Sequence, residues 1–538
     1  MSPFARLRFC GAAGTVTGSC YWLTHPHGEL LIDCGMFQGT KTLKELNYGA
    51  FPFDPAKIGH VLLTHAHIDH AGLIPKLVKN GFRGPIHATA GTRDLLSFML
   101  PDSGYIQERE VELLNRRNIQ RGRPPVTPIY TRADGEAAMR AIRVVGYEQW
   151  ITVAPGLRAR WWNAGHILGS ASIELEIADP SEESRPLRLL FSGDIGPDNK
   201  LFHPNPTAPV DLDVLVCEST YGDRSRPDWS LGRRQAALAR EVNAAMEAGG
   251  ALLIPAFAVE RTQELLADLS HLLDQGKIPR VPVFLDSPLA IQATQVFARH
   301  APKLEDIDRH GSLLQHPSFH FTETVEQSKA IDRFSGRLIV LAASGMCEAG
   351  RIRHHLKRFL WSPNATVLLV GFQAQGTLGR LLQEGADAVR IMGEDVKVNA
   401  RIRMLDAYSG HADAEELVAW AAARRPVRQA VFLTHGEPGA LAAMREALIG
   451  KGFAPGLVRI PQLDDEFDLS PDRVRRRPGT PHRMQPGAVS QLDWHNEFAR
   501  LSLDLRAELE QATDEKSRRR ILARLRRALR REGAAQLS

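Results

Sequence analysis

Four side chains that can bind a metal fall within residues 65–70, which read HAHIDH. The apolar run Val61–Leu63 precedes this segment, and the pattern after it predicts a helix over Ala71–Val78. A turn from a strand into a helix lets these side chains point at one spot. Neutral imidazoles and a carboxylate suit Zn²⁺, and this many ligands can hold two ions. The segment therefore predicts a zinc centre with two ions.

The chain up to about residue 205 alternates short β-rich runs with Gly-rich turns, and further imidazoles and carboxylates lie at the ends of these runs. The predicted strands are Leu30–Asp33, Val61–Thr64, Ile86–Ala88, Leu187–Ser192 and Val214–Cys217. Ligands of α/β proteins collect at the ends of strands. We therefore expect these strands to position one shared site.

The pattern changes from about Tyr221 onward, where helix candidates alternate with continuous apolar runs. The helix candidates are Leu231–Ala248 and Glu260–Gln275, and the runs are Ala251–Pro255, Val281–Leu285, Arg337–Ala342 and Thr366–Val370. Strands buried on both faces and separated by helices are typical of a parallel sheet. Imidazoles and carboxylates at the ends of apolar runs occur again in Tyr408–Asp413 and Ala430–Glu437. The simplest interpretation is a second domain inserted into the first.

These observations predict four segments. They are a first domain at 1–210, an inserted domain at 211–395, the returning part of the first domain at 396–465, and a linker with basic C-terminal helices at 466–538.

The bulk composition excludes several classes of protein. With 43% hydrophobic and 24% charged residues, the chain has material for more than one core. No apolar run is long enough to cross a bilayer, and the N-terminus has no secretory signal pattern. The five cysteines never form a CxxC pair, which disfavours a disulfide framework and a thiolate zinc site. We therefore expect a reducing, cytoplasmic location without membrane contact.

The HAHIDH segment resembles the HxHxDH signature of the metallo-β-lactamase fold, an α/β fold with four layers in the order αββα. Other elements of that family's pattern follow in order, each at the end of an apolar run: Asp33 in Leu31–Gly35, His166 in Asn163–Ser170, and Asp194 in Phe191–Gly196.

Three later segments are similar to motifs A, B and C of the β-CASP subgroup, which includes RNA-processing nucleases. They are Glu218–Gly222, Tyr408–Asp413 and Thr434–Glu437. The subgroup carries an inserted β-CASP domain, in agreement with the interruption inferred above. The resemblance covers about residues 5 to 465, and seven motifs in order make it specific.

The resemblance implies two sets of zinc ligands that share one aspartate. One ion would bind His65, His67, His166 and Asp194, and the other would bind Asp69, His70, Asp194 and His435. Two such cations would activate a hydroxide for attack on a phosphodiester.

The catalytic set that the resemblance implies is His411, Glu218, Asp69 and Asp33. His411 would protonate the leaving ribose oxygen while Glu218 orients its imidazole. Asp33 would support the metal ligands from outside. A histidine in motif C, here His435, occurs in the RNA-acting members of the subgroup, so the expected substrate is RNA. Endonucleolytic and 5′-to-3′ exonucleolytic cleavage both remain open.

Two Gly-rich turns between a strand and a helix are candidate phosphate sites, because helix N-termini present free N–H groups. The candidate contacts are Ser344, Gly345, Gly376, Thr377, Arg351 and Arg380.

The basic C-terminal part lies outside the resemblance. A Pro- and Gly-rich stretch, Pro478–Val489, is predicted to be a linker, and apolar residues at helical spacing follow over Leu501–Ala512 and Ile521–Leu529. Arginines cluster at 473–477 and again at 518–531. Such clusters attract polyphosphates or solvate a surface helix. The sequence leaves open whether these helices contact RNA or join two chains in a homodimer.

The sequence disfavours four alternatives to a ribonuclease. A hydrolase of a small ester needs neither the insert nor a dedicated acid such as His411. A DNA nuclease is disfavoured by His435. A non-catalytic RNA-binding subunit is disfavoured because the full ligand pattern is present. Iron-based redox chemistry lacks the flavin domain that would accompany it.

Overall fold

The computed structural model describes residues 4–178, 185–227, 229–307, 314–334, 336–371, 373, 377–485, 505, 508–509, 511–512 and 514–535. Strands and helices are labelled below in chain order.

Two mixed sheets form the first part of the molecule. The eight-stranded sheet has the order β23-β22-β1-β2-β3-β4-β5-β6. Its strands are β1 Ala5–Phe9, β2 Tyr21–His25, β3 Gly28–Ile32, β4 Ile58–Leu62, β5 Ile86–Thr89, β6 Ile142–Val145, β22 Glu466–Ser470 and β23 Arg473–Arg476. The seven-stranded sheet has the order β21-β20-β11-β10-β9-β8-β7. Its strands are β7 Ile151–Ala154, β8 Leu157–Asn163, β9 Ala171–Ile177, β10 Leu187–Phe191, β11 Leu212–Glu218, β20 Val427–Thr434 and β21 Val458–Arg459.

These two sheets pack face to face because alternate residues along their strands are apolar. In β8, Leu157, Ala159 and Trp161 are buried in the core between the sheets, whereas Arg158 faces outward and is exposed. The period of two is the ordinary pleat of a strand.

Helices cover both outer faces of the pair of sheets. In the part of the chain that the structure describes, the helices are α1 Lys41–Glu45, α2 Ile68–Ala71, α3 Ile74–Lys79, α4 Ala90–Gln120, α5 Arg132–Ala138, α6 Leu231–Glu247, α7 Arg261–Asp274, α8 Pro288–His300, α9 Val325–Ala330, α10 Ile352–Phe359, α11 Leu378–Gln383, α12 Ala414–Ala422, α13 Pro438–Gly450 and α14 Glu515–Ala535. Short 3₁₀ turns lie at Pro55–Lys57, Met139–Ala141, Ala301–Lys303 and Ile331–Arg333. Leu77 of α3 and Leu96 of α4 join one outer core. Leu417 of α12 and Met444 of α13 join the other. The predicted αββα architecture is confirmed.

A third sheet forms the insert. Its order is β14-β13-β15-β12-β16-β19, and every pairing is parallel. The strands are β12 Ala251–Pro255, β13 Val283–Leu285, β14 Phe319–Phe321, β15 Leu338–Ala342, β16 Thr366–Leu369 and β19 Arg401–Met404, with a separate hairpin of β17 Ala388–Ile391 and β18 Glu394–Lys397. In β12 the two faces pack into different cores, Leu252 and Ile254 in one and Leu253 in the other. The prediction of a parallel sheet buried on both faces is therefore confirmed.

Strand pairing corrects three of the predicted boundaries. β11 lies after residue 210 but pairs with β10 and β20 of the seven-stranded sheet, and all seven of its residues are buried. β19 lies after residue 395 but pairs with β16 of the insert. β22 lies after residue 465 but pairs with β1. The length and apolar character of a run predict that it forms a strand. They do not predict which sheet the strand joins, because its partners are distant in sequence.

The C-terminal predictions fall partly within the described residues. α14 covers the second predicted helix, Ile521–Leu529, while most of Leu501–Ala512 lies outside the described residues. The arginines at 473–476 form β23, and Arg476 pairs with Asp465 at 2.5 Å. All five cysteines are buried free thiols. None of the helices in the described part of the chain is long and apolar enough to span a bilayer.

Candidate metal centre

The candidate ligands converge because each lies just beyond the end of a strand at the same edge of the paired sheets. His65 follows β4, His166 follows β8, Asp194 follows β10, and His435 follows β20. β11 and β20 are neighbours with Glu218 opposite Thr434, so the insert leaves and returns through adjacent strands. This pairing places His435 beside residues that lie more than two hundred positions earlier in the chain.

The first predicted ligand set forms one compact group. Nδ1 of His67 lies 3.1 Å from Nε2 of His65 and 3.1 Å from Nε2 of His166. Oδ2 of Asp194 lies 3.5 Å from Nε2 of His65 and 3.6 Å from Nε2 of His166. All four side chains offer one ligand atom within 4.8 Å of the others.

The second predicted set lies on the other side of Asp194. Nε2 of His70 is 3.2 Å from Nε2 of His435 and 3.2 Å from Oδ1 of Asp194. Oδ2 of Asp69 is 3.4 Å from Nε2 of His435. Asp194 therefore directs one carboxylate oxygen toward each set.

The donor set fits divalent cations. Imidazole nitrogens and carboxylate oxygens, both ligand atoms for such ions, face one another. Among the described residues, the buried Oδ1 of Asp194 makes no hydrogen bond of acceptable geometry, although Nε2 of His70 lies 3.2 Å away. A buried charged atom without a partner is costly, and a cation bound by these atoms would compensate it. Imidazole and carboxylate ligands suit zinc.

Electrostatics divides the histidines into two groups. Burial lowers the pKa of His67 to about 4 and the pKa of His65 and His166 well below the usual range. These imidazoles are therefore neutral near pH 7, the form that binds metal. Burial is also the largest influence on His70 and His435 and opposes their charge, but the neighbouring carboxylates together outweigh it and raise the pKa of both: Asp194 with Asp33 for His70, and Asp194 with Asp69 for His435.

Residues around the ligands orient their rings. Nδ1 of His70 donates to Oδ2 of Asp33 at 2.7 Å, and the backbone N–H of Thr64 donates to Oδ1 of Asp33 at 2.8 Å. Asp33 is fully buried at a positive φ of 61° and touches His70 rather than the open side of the site. This contact holds Nε2 of His70 toward Asp194. Hydrogen bonds of this kind orient metal ligands and tune their basicity.

Two further orienting contacts were not predicted from the sequence. Nδ1 of His166 donates to the carbonyl oxygen of Gly410 at 2.6 Å. Oγ1 of Thr220 lies 3.0 Å from Nδ1 of His435. Thr220 lies within the motif A segment, so its position next to Glu218 was an available signal. A backbone carbonyl carries no such signal.

His411 and Glu218 meet at the open side of the site. Nδ1 of His411 lies 3.1 Å from Oε1 of Glu218. The N–H groups of Ile195 and Thr220 donate to the two oxygens of Glu218, at 2.7 and 3.1 Å. Glu218 is buried, whereas the His411 side chain is 20% exposed. Nε2 of His411 lies 4.0 Å from Oδ2 of Asp194. Thus His411 presents Nε2 to the same space as the ligand cluster.

The predicted phosphate contacts have varied surroundings. Ser344 and Gly345 follow β15, and Oγ of Ser344 accepts from the N–H of Ala349 at 3.2 Å. Oγ1 of Thr377 caps α11. Gly376 lies outside the described residues.

The two predicted arginines are engaged elsewhere. Arg351 donates to Oδ1 of Asp286 and to the carbonyl of Thr322, at 2.7 and 2.9 Å. Arg380 pairs with Glu384 at 2.6 Å. The Arg351 guanidinium is thus held by a buried carboxylate and by backbone carbonyls of the insert, and its phosphate contact stays a prediction.

The fold and the two ligand sets define a metal-dependent hydrolase of the metallo-β-lactamase type. Comparison with protein-family models agrees. The model for the metallo-β-lactamase superfamily matches residues 13–144, that for the Beta-Casp domain matches 262–382, and that for the Zn-dependent metallo-hydrolase RNA specificity domain matches 395–455.

Curated relatives place the chain more narrowly. It is 35% identical over 455 residues to ribonuclease TTHA0252 of Thermus thermophilus, covering 84% of this chain and 97% of that protein. It is 29% identical over 464 residues to transcription termination factor FttA of Methanosarcina mazei, covering 83% of this chain and 69% of that protein. A similar factor of Methanothermobacter thermautotrophicus is 30% identical, covering 81% of this chain and 68% of that protein. The chain belongs to the β-CASP ribonuclease family of metallo-hydrolases.

Proposed function

We propose that this protein is a zinc-dependent ribonuclease that hydrolyses RNA phosphodiester bonds and uses two ions. The observation that carries the proposal is the convergence of six candidate ligand residues around a seventh, Asp194, beside the His411–Glu218 pair. A similar protein is named a ribonuclease, and the RNA specificity model spans both His411 and His435.

The proposed ligand assignment follows the two clusters. One ion would be held by His65, His67, His166 and Asp194, and the other by Asp69, His70, His435 and the same Asp194. When bound, the ions would supply Lewis acidity that activates water and offsets charge developing on the phosphate.

Side chains of the protein carry out the proton transfer to the leaving group. As the new bond from water oxygen to phosphorus forms, the bond to the ribose 3′ oxygen breaks, and that oxygen needs a proton. His411 donates it from Nε2, the nitrogen that faces the site. Glu218 accepts from Nδ1, which fixes the ring with Nε2 toward the site. Hydrolysis then leaves a 5′ phosphate on one product and a 3′ hydroxyl on the other.

The proposal is tested with one RNA and a DNA of the same sequence, each labelled at either end. Zinc-loaded protein should cleave the RNA, and a chelator should abolish cleavage until zinc is restored. Internal products would indicate endonuclease action, and mononucleotides released from the 5′ end would indicate exonuclease action. Cleavage of DNA alone, or of a small ester alone, would overturn the proposal.

A variant pair tests the acid. His411→Ala should lower the turnover of RNA by roughly 10²- to 10⁴-fold while the bound zinc stays near the wild-type amount. His27→Ala is the matched control, since His27 is exposed on a turn of the eight-stranded sheet. Loss of zinc in His411→Ala would mean that His411 is a ligand instead.

A further inference from the structure

A half-buried arginine of the insert lies beside the loop that carries His411. Arg261 is the first residue of α7, and its Nε donates to the carbonyl oxygen of Tyr408 at 2.7 Å. Its guanidinium lies 5.0 Å from the centre of the Phe257 ring. Tyr221, which acts electrostatically on Arg261, packs edge-on against His411 with ring centres 5.9 Å apart. Arg261 is therefore next to the proposed acid and belongs to the opposite domain.

The two outer nitrogens of this guanidinium, Nη1 and Nη2, make no hydrogen bond with the described residues. Within the described residues, Nε is the one guanidinium nitrogen of Arg261 that makes a hydrogen bond, and no carboxylate lies at ion-pair distance. Glu264 and Asp406 act on it electrostatically without bonding to it.

Other arginines with little exposure in this part of the molecule differ. Arg234 donates to Asp268 at 2.7 Å, and Arg351 donates to Asp286 at 2.7 Å. Arg261 alone of these three keeps two N–H₂ groups for a further acceptor.

The chain also leaves room for Arg261 at a glycine that follows β16. Gly371 follows β16, and a Cβ atom placed there would lie 2.4 Å from Nη1 of Arg261 and 2.7 Å from Cζ. A glycine at 371 therefore permits this position of the guanidinium. The guanidinium thus lies between Gly371 and the backbone of Tyr408.

We propose that Arg261 binds a phosphate of the RNA backbone next to the phosphate that is cleaved. The inference rests on the proposed function and assigns to the insert a specificity for polynucleotides. Two parallel N–H donors match two phosphate oxygens, the geometry for which arginine is preferred over lysine. A half-buried site strengthens this pairing relative to water. A substrate with a single phosphate would gain nothing from it.

The test compares RNA of twelve nucleotides with a dinucleoside monophosphate, which contains only the scissile phosphate. Arg261→Met should raise KM for the long RNA by roughly 10- to 100-fold and leave kcat/KM for the dinucleoside monophosphate within about twofold. Gly371→Ala should shift KM in the same direction, because a methyl group displaces the guanidinium. Arg261→Lys should recover only part of the affinity.

The matched control is Arg240→Met, which removes the same charge from an exposed position on α6. Bound zinc and melting temperature are measured for each variant, so that loss of folding is recognised. Equal losses on both substrates, or a fall in kcat alone, would overturn the phosphate site.

A binding measurement separates this inference from the proposed function. Fluorescence anisotropy of the labelled RNA should give a weaker Kd for Arg261→Met and a salt slope smaller by about 0.7, the change for one phosphate contact on a single strand. An unchanged Kd and slope would refute the site even where RNA is cleaved. A wild-type protein that binds RNA through Arg261 but cleaves none would refute the proposed function instead.

Discussion

Within the described residues, two buried clusters of histidine and aspartate differ in how their acceptors are satisfied. One is the candidate metal centre around Asp194. The other, here called the Asp286 cluster, lies in the insert and consists of Asp286, His355, Arg351, Thr322 and Ser328.

Every contact in the Asp286 cluster pairs a donor with an acceptor. Oδ1 of Asp286 accepts from Thr322 at 2.6 Å and from Arg351 at 2.7 Å. Oδ2 accepts from Ser328 and His355, both at 2.7 Å. These contacts hold the pKa of Asp286 well below its usual range, although burial opposes this. The cluster is complete without any ligand.

In the metal centre, by contrast, nitrogen faces nitrogen. Three pairs of imidazole nitrogens approach to 3.1–3.2 Å, and within the described residues Oδ1 of Asp194 makes no hydrogen bond of acceptable geometry. The same residue types thus build a structural element in one place and a cation site in the other. Residue composition does not separate them, but the balance of donors and acceptors does.

The largest expected effect comes from removing the shared carboxylate. Asp194→Ala should lose bound zinc and lower RNA cleavage by more than the roughly 10- to 100-fold that changes outside the ligand shell cost. The measurement is zinc per protein by elemental analysis together with cleavage rate. Asp198→Ala is the control, since Asp198 is exposed on the same loop. If Asp194→Ala kept its full zinc content, the cluster around Asp194 would not be the metal site, and the proposed distinction between a cation site and a structural cluster would be wrong.

The Asp286 cluster should respond through stability instead. Asp286→Ala leaves the Arg351 guanidinium and the donors of His355, Thr322 and Ser328 without their acceptor. We expect the free energy of unfolding to fall by about 3–5 kcal/mol, the cost of breaking a buried ion pair, with zinc per folded protein unchanged. Urea unfolding checks this.

The control for that experiment is Asp332→Ala, in which an exposed partner of Arg358 is removed and about 1 kcal/mol or less is expected. Loss of zinc in Asp286→Ala would show that the two clusters are coupled.

The smallest effect concerns a pair of facing imidazoles without a carboxylate. Nδ1 of His60 lies 3.2 Å from Nε2 of His87, and in the described residues this pair belongs to no group of three metal-ligating side chains. Burial, helped by His60 and Arg143, lowers the pKa of His87 to about 4 from 6.5. Between these values the unfolded chain takes up a proton that the folded protein does not, so stability falls as pH falls from 6.5 toward 4.

Replacing His87 with Gln should lessen this acid sensitivity by on the order of 1 kcal/mol, because the site is partly open to solvent. The measurement is the difference in unfolding free energy between pH 7 and pH 5. His320→Gln, at an exposed position, should leave that difference as it is. A drop in bound zinc for His87→Gln would indicate that facing imidazoles alone suffice to bind metal here.

Sequence patterns predicted much of the fold. The helix expected at Leu231–Ala248 forms at Leu231–Glu247, and the strand expected at Ala251–Pro255 forms at those residues. The helix is long enough, and the strand apolar enough, for the hydrophobic pattern to predict the type of element. The domain boundaries were less predictable, because β11, β19 and β22 are assigned to sheets by pairing with partners far along the chain.

The candidate site was predictable in its residue types and only partly in its contacts. Asp33, Glu218 and His411 were named from motifs, and the structure brings each into the centre. Thr220, the carbonyl of Gly410 and the guanidinium of Arg261 were not. Arg351 was named but is bound to Asp286.

The sequence by itself determined which side chains could bind metal, that they lie at strand ends, and that the lactamase-type fold is interrupted. These properties are local, since they depend on residue type, short spacing and apolar periodicity. The tertiary structure alone decided that Glu218 and Thr434 lie on adjacent strands, which joins His411 and His435 to the HAHIDH turn. It also decided that the half-buried Arg261 keeps guanidinium N–H groups that bond to none of the described residues. Burial and hydrogen-bond satisfaction depend on every neighbour in space, and those neighbours come from all parts of the chain.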